Sequence, residues 1–188
     1  MAFVRQNKAR KVLWHRIRSG MCSSNTNNKS GRLGNNGTTD AFDPVLLNHD
    51  ELGIYTLACG GWHTLGLTHS GDVYVWGVNT DSCLGIEIDR IRTPYLLLKG
   101  KNIINMFSGN YAASNYVQSK DGTMYVWGKN STFRFFGKPH KEIISPTVYD
   151  ELKDLPIRDV FVGYDESVFT LETYCQSFEI KSSAVFAD

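Results

Sequence analysis

Ala58-Cys-Gly-Gly-Trp-His-Thr-Leu-Gly-Leu-Thr-His-Ser-Gly-Asp-Val-Tyr-Val-Trp-Gly77 decides the fold of this chain. Leu65-Gly-Leu-Thr68 reads as one strand, His69-Ser70-Gly71 as a turn, and Asp72-Val-Tyr-Val-Trp76 as a returning strand whose side chains alternate with period two. The tetrapeptide Tyr74–Gly77 recurs as Tyr125–Gly128, 51 positions later. Leu33-Gly34, Leu84-Gly85 and Phe136-Gly137 keep steps of 51 and 52, and Pro44, Pro94 and Pro146 keep steps of 50 and 52. Independent anchors holding one period mark an internal repeat, and a period of this length points to a propeller or a solenoid.

Outward from that stretch, strands dominate. Ile54–Ala58 precedes it as another strand. In the next copy Lys120-Asp121-Gly122 joins Tyr116–Ser119 to Thr123–Trp127, and Asp-Gly between alternating segments is a strong hairpin signal. Thr93-Pro94 opens an edge strand over Tyr95–Leu98, since proline at a strand start forfeits no ladder hydrogen bond. The third copy is weaker: Ser145–Val148, Asp159–Gly163 and Val168–Leu171 stay in step, but no Tyr-x-Trp-Gly follows. The tail over Ser177–Phe186 is expected to hold one further divergent strand.

The composition is globular, with 41% hydrophobic and 21% charged residues, and no apolar run is long enough to span a bilayer. The four cysteines, Cys22, Cys59, Cys83 and Cys175, are scattered without zinc-ligand spacing, so buried free thiols in a reducing compartment are expected. The net charge of +1 hides an asymmetry. Residues 1–39 carry eight basic residues and no acid, and the remainder carries an excess of acids. Six of the basic residues, Arg5, Lys8, Arg10, Lys11, Arg16 and Arg18, fall within fourteen positions, with Leu13, Ile17 and Met21 on one helical face. An acid-free, arginine-rich, weakly amphipathic arm describes a mitochondrial targeting segment. The alternatives are a nucleic-acid-binding arm in the nucleus or cytoplasm, where those charges neutralise phosphates, and a solvated or partner-packed terminus.

The stretch from Ala58 to Gly77 resembles the regulator of chromosome condensation repeat, whose pattern runs Cys-Gly-x-x-His-Thr, Leu-Thr, a Gly turn, Val-Tyr-x-Trp-Gly, then Asn and Leu-Gly. Asn79 and Leu84-Gly85 take the last places, as do Asn130 and Phe136-Gly137 one copy later. The second copy departs from the pattern: Ala112 stands where His63 does, and two extra residues precede the Gly turn. The resemblance implies an all-β chain, an incomplete β-propeller of about three blades. Each blade is a four-stranded antiparallel sheet, and a basic N-terminal arm precedes them. The expected divisions are 1–29 for the arm, 30–77, 78–128 and 129–175 for the repeats, and 176–188 for the tail. Three copies fall short of the four to eight blades of a closed propeller. The expectation is a truncated product, or open blade faces covered by another protein chain.

The candidate chemistry is sparse. Trp76 and Trp127 read as blade-core aromatics ahead of ligand-stacking groups, and His63 as a histidine that bridges strands ahead of a catalytic one. Gly60, Gly71, Gly77, Gly109, Gly122 and Gly128 read as repeat glycines at turns and strand ends. His49, His69 and His140 belong to no nucleophilic triad. Gly31-x-x-Gly34-x-x-Gly37 lacks the strand-before, helix-after setting of a dinucleotide loop, and no phosphate-binding Gly-Lys-Ser/Thr occurs. Asp150-Glu151, Asp154 and Asp165-Glu166 read as solvated loop charges. No catalytic residue, metal site or cofactor is expected. The function expected is a non-catalytic interaction module docking on a larger protein assembly. Guanine-nucleotide exchange on a small GTPase is the alternative implied by the resemblance, and chromatin or RNA association through the arm is a third.

Overall fold

The computed structural model describes residues 14–15, 28–39, 45–46, 50–109, 112–130, 142–153, 155–163 and 167–171. The basic arm residues Arg5, Lys8, Arg10, Lys11, Arg16 and Arg18, together with Cys22, Pro44, His49, Phe136-Gly137, His140, Asp154, Asp165-Glu166, Cys175 and the tail, lie outside this set. The described residues are strands joined by turns, with four short 3-10 segments and no α-helix among them. A short pair, β1 (Trp14–His15) and β2 (Val45–Leu46), precedes the four-stranded sheets. Two four-stranded antiparallel sheets follow. The first orders β3 (Ile54–Cys59), β4 (His63–Thr68), β5 (Val73–Val78) and β6 (Arg90–Leu98). The second orders β7 (Ile103–Ser108), β8 (Ser114–Ser119), β9 (Met124–Lys129) and β10 (Glu142–Val148). A hairpin of β11 (Ile157–Val162) and β12 (Ser167–Leu171) completes the set.

Each sheet is an up-and-down meander, as the Gly-turn hairpins dictate. Strands β3, β7 and β11 touch in succession and form the hub, while β6 and β10 carry mostly exposed or half-buried side chains at the rim. The arrangement is that of propeller blades. The three inner hairpins share one register, with a shift at the same point in each: between Ile54 and Thr56, between Ile103 and Asn105, and between Ile157 and Asp159. The sheets group residues 54–98 and 103–148, whereas the sequence period has no intrinsic origin and was divided elsewhere.

The faces of neighbouring sheets are apolar because β-branched and leucine side chains alternate onto them. Leu65, Leu67, Val73 and Val75 of the first sheet pack against Ile103, Val117 and Trp127 of the second, with Leu84 and Leu98 closing the layer. Tyr116, Met124 and Val126 of the second sheet pack in turn on Ile157 and Val160 of β11. Each fully buried aliphatic side chain contributes about 1.5–3 kcal/mol.

Two details of the expected alignment change. The partner of Gly128 across β8–β9 is Ser114, as His63 is the partner of Gly77 across β4–β5. Ser114, and not Ala112, therefore occupies the place of His63. The two extra residues lie in the turn between β7 and β8 rather than before the Gly turn. The edge strand β6 also begins earlier than expected, at Arg90, so Pro94 sits inside it. Pro94 falls in a register shift between the pairs Val75–Tyr95 and Gly77–Ile91, and Pro146 falls in the matching shift of β10. A rim strand with a local irregularity accommodates the missing N–H.

Within each four-stranded sheet, the ends of β5 and β9 are crowded by the turn that leads into the neighbouring strand. Gly128 has φ +102°, and a Cβ there would land on the Ala113 carbonyl oxygen. Gly122, with φ +88°, has nothing within 4 Å of such a Cβ. Gly122→Ala is expected to cost about 1–2 kcal/mol from backbone strain alone, and Gly128→Ala upward of about 3 kcal/mol because clash is added to strain. Urea unfolding of both variants measures the difference; equal losses would contradict the close approach.

Candidate functional site

The repeat's polar and aromatic residues converge on the seams between blades. In the loop between β5 and β6, the Asn79 side-chain oxygen accepts from Leu84 N–H at 2.8 Å, and its amide nitrogen donates to Ile86 O at 2.6 Å. The loop is thereby folded back so that the Cys83 carbonyl points into the next blade. There it accepts two hydrogen bonds, from Trp127 Nε1 at 3.0 Å and from Asn115 Nδ2 at 2.9 Å. Gly85 follows at φ +71°, with Trp127 Cδ1 only 3.0 Å from where its Cβ would stand, so the loop packs on the indole.

The same device holds the preceding loop on the first sheet. Asn28 Oδ1 accepts from Leu33 N–H at 3.2 Å. The Arg32 carbonyl accepts from Trp76 Nε1 at 2.8 Å and from Thr64 Oγ1 at 3.0 Å. Trp76 and Trp127 are both fully buried, so each indole N–H needs a partner and finds it on a neighbouring loop. Asn28 was not singled out from the sequence, although it stands 51 residues before Asn79, which stands 51 before Asn130. That spacing was the available signal.

His63 adds a bond across the first seam. Its Nε2 lies 2.6 Å from Asn115 Oδ1, and because Asn115 presents its amide N–H to Cys83 O, the histidine is the donor. His63, Asn115, the Cys83 carbonyl and Trp127 thus form one continuous chain of hydrogen bonds between the two blades. His63 Nδ1 is buried and has no hydrogen-bond partner. Protonating it would place an N–H without an acceptor in the interior, and burial lowers the His63 pKa from 6.5 to about 4. Burial likewise pushes the Cys59 thiol up to about 12 and raises that of Cys83, whose Sγ donates to Val78 O at 3.1 Å. Both thiols are protonated and unsuited to nucleophilic attack.

The remaining sequence candidates are dispersed. Gly60 packs against the His63 ring, and Gly109 against the Val162 carbonyl of the third hairpin. Gly71 accepts Ile103 N–H at 3.1 Å and tethers one blade's turn to the next inner strand. His69 stacks on Tyr55, with ring centroids 4.4 Å apart. Among the described residues no group of His, Cys, Asp and Glu is placed to hold a metal ion, and no helix is long and apolar enough to cross a membrane. At the surface, Trp62 in the turn between β3 and β4 is 40% exposed and lies over the Arg32 guanidinium at 5.2 Å.

The sign of the histidine's pH dependence follows from its depressed pKa. Between about pH 4 and 6.5 the unfolded chain binds a proton at His63 that the folded chain refuses, so stability falls as pH drops through that window. The loss is expected to approach roughly 3 kcal/mol by pH 4. His63→Gln keeps a donor for Asn115 and removes the titration, so its stability curve between pH 6.5 and 4 is expected to be flatter than that of the parent chain. Parallel curves in chemical denaturation across that range would refute this.

Comparison with known proteins agrees with this geometry. Residues 54–83 match the model of the "Regulator of chromosome condensation (RCC1) repeat". The human "Probable E3 ubiquitin-protein ligase HERC6" is 31% identical over 155 residues, covering 79% of this chain. The chain spans only 14% of that protein's length. Human WBSCR16 superposes with a TM-score of 0.60 at 24% identity, over 73% of this chain and 36% of that one. Prp20p from Saccharomyces cerevisiae superposes with a TM-score of 0.58 at 17% identity, over 86% of this chain and 39% of that one. At such identities the superpositions speak for the fold. The repeat match, the shared period and the repeated loop-to-tryptophan bonds show that this chain is built from regulator of chromosome condensation repeats.

Proposed function

We propose that the chain is a protein-docking module that makes and breaks no covalent bond itself. The observation that carries this is the inward use of the repeat's chemistry: His63, Asn115, Thr64, Trp76 and Trp127 all face seams between blades. Trp62, by contrast, stands at the surface over Arg32. An exposed tryptophan held against a guanidinium is the kind of rigid anchor that dominates protein interfaces. A second reading, guanine-nucleotide exchange on a small GTPase, draws on the solved Prp20p structure, whose title names binding to Gsp1p and histones. Exchange needs no covalent chemistry either; it requires tighter binding to the nucleotide-free GTPase than to the loaded one.

One titration separates the two. The full chain is added to a Gsp1p-type GTPase loaded with fluorescent GDP and, separately, to core histones. Docking predicts a complex with at least one of them, no faster GDP release, and roughly tenfold weaker binding for Trp62→Ala, the equivalent of about 1.4 kcal/mol. Accelerated release would replace docking by exchange, and no complex with either would remove both readings for these partners.

We assign the basic segment 1–29 to mitochondrial targeting. Its composition supports this, with arginine and lysine throughout and no acid. Fused ahead of a fluorescent reporter, these residues are expected to carry it into mitochondria, and Arg→Gln changes at positions 5, 10, 16 and 18 to abolish entry. A cytosolic or nuclear reporter would overturn the assignment. Binding of the full chain to nucleic acid that weakens steeply with salt and is lost on deleting residues 1–21 would favour the chromatin or RNA alternative.

A further inference from the structure

Asn36-Gly37 is the one asparagine–glycine pair in the sequence, and it stands at the surface. Asn36 is exposed and Gly37 half-buried, in the loop that carries the Arg32 carbonyl onto Trp76. Glycine has no side chain to keep the asparagine amide away from its own backbone nitrogen. Asn36 holds φ +62°, a conformation that asparagine adopts more readily than most residues. The Gly37 N–H donates to Asn35 Oδ1 at 3.0 Å, on an exposed side chain. Giving up one such bond slows a reaction at that nitrogen by about tenfold at most.

Two other asparagines among the described residues are exposed, Asn35 and Asn102. Asn102 shares the positive φ, at +51°, but the residue after it is the branched and buried Ile103, whose N–H is held by Gly71 O at 3.1 Å. Asn35 is followed by Asn36, whose N–H is held by Arg92 O at 3.1 Å. Only Asn36 combines exposure with an unhindered neighbouring nitrogen.

We propose that Asn36 is a self-modification site, converted to aspartate and isoaspartate by attack of the Gly37 backbone nitrogen on its side-chain amide. The nitrogen gives its proton to solvent base and bonds to Asn36 Cγ. The bond from Cγ to the amide nitrogen breaks, and that nitrogen takes up a proton and leaves as ammonia. Water then opens the cyclic imide. Opening at Cγ gives aspartate, and opening at the Asn36 backbone carbonyl leaves Gly37 joined through the side chain, which is isoaspartate. Isoaspartate adds a methylene to the main chain, and the loop is pinned on both sides of it. Asn36 N–H is bonded to Arg92 O, and Gly37 O accepts from Asn28 Nδ2 at 3.1 Å. Asn28 also holds Leu33 N–H, next to the Arg32 carbonyl that receives Trp76 Nε1. The modification therefore loosens the first seam as the chain ages. It involves no partner, so its failure leaves the docking proposal standing.

The test incubates the full chain at roughly pH 6 and roughly pH 8, and the higher pH is expected to be faster because base removes the amide proton. Peptide mapping by mass spectrometry is expected to show the fragment holding Asn36 gaining about 1 Da. Methyl transfer by an isoaspartyl methyltransferase is expected to mark the isoaspartate within it. Gly37→Ala is expected to slow the gain at least about tenfold. Gly37 lies outside the left-handed region, and the Asn35 side chain at 3.2 Å is all that crowds an added Cβ, so this variant keeps the fold. Asn36→Gly tolerates the positive φ and removes the amide, so no gain is expected there. The aged parent chain is expected to unfold at lower urea than the fresh chain, and aged Asn36→Gly at an unchanged midpoint. No gain at Asn36, a gain as fast in Gly37→Ala, aspartate without isoaspartate, or an aged chain as stable as the fresh one would each overturn the proposal.

Discussion

The capture of one backbone carbonyl by the next blade is the constraint on which the rest of the structure depends. The Cys83 oxygen takes both an indole N–H and a side-chain amide N–H, and the Arg32 oxygen takes an indole N–H and a hydroxyl. Both tryptophan bonds span 44 residues of chain. Leaving such a donor or acceptor buried and unpaired costs about 1–3 kcal/mol. A loop that is too long or too short loses the bond, so the repeat length is fixed by the seam as well as by the strands. The apolar layer between the sheets supplies most of the stabilisation, and the carbonyl fixes where along that layer the blades settle.

The seams are not copies of one another in chemistry. Thr64 on the first blade becomes Asn115 on the second, and only the amide is long enough to accept from His63 while donating to a carbonyl. The third hairpin places Ser167 at this position, where it accepts from the Tyr116 hydroxyl instead. The backbone register is the same with all three residues. Register is set by which face of each strand is apolar, and a one-residue slip would expose that face. The polar residue at the seam adjusts to its neighbours within a frame that the aliphatic side chains hold.

This explains which parts of the molecule were legible in the sequence. Strands, turns and period were readable because Gly71, Gly122 and the alternating Val-Tyr-x-Trp segments act within one copy. The partners of His63, Trp76 and Trp127 were not readable, since they lie 52, 44 and 44 residues away in the chain and nothing in the local pattern names them. Ala112 was aligned with His63 by motif order alone, and the ladder shows that two residues had been inserted before the strand rather than after it. Pro94 was placed at a strand start by the rule for proline, and the rim irregularity that admits it mid-strand leaves no mark of its own in the sequence. His63, Trp76 and Trp127 read from the sequence as strand-bridging and blade-core residues, and what the local pattern left out was the partner to which each hydrogen-bonds.

The loop holding Cys83 belongs by connectivity to the first blade and by hydrogen bonding to the second. A chain severed between the sheets, anywhere over residues 99–102, would leave the first fragment with a carbonyl aimed at nothing and the second with Trp127 and Asn115 lacking their acceptor. A chain severed where the sequence period divides, after Gly77, would instead split a four-stranded sheet between β5 and β6. No single cut gives two satisfied halves. Blades of this kind are therefore poor units of exchange by recombination, and the unit that shuffles cleanly is the seam, carried whole from one inner strand to the tryptophan beyond it.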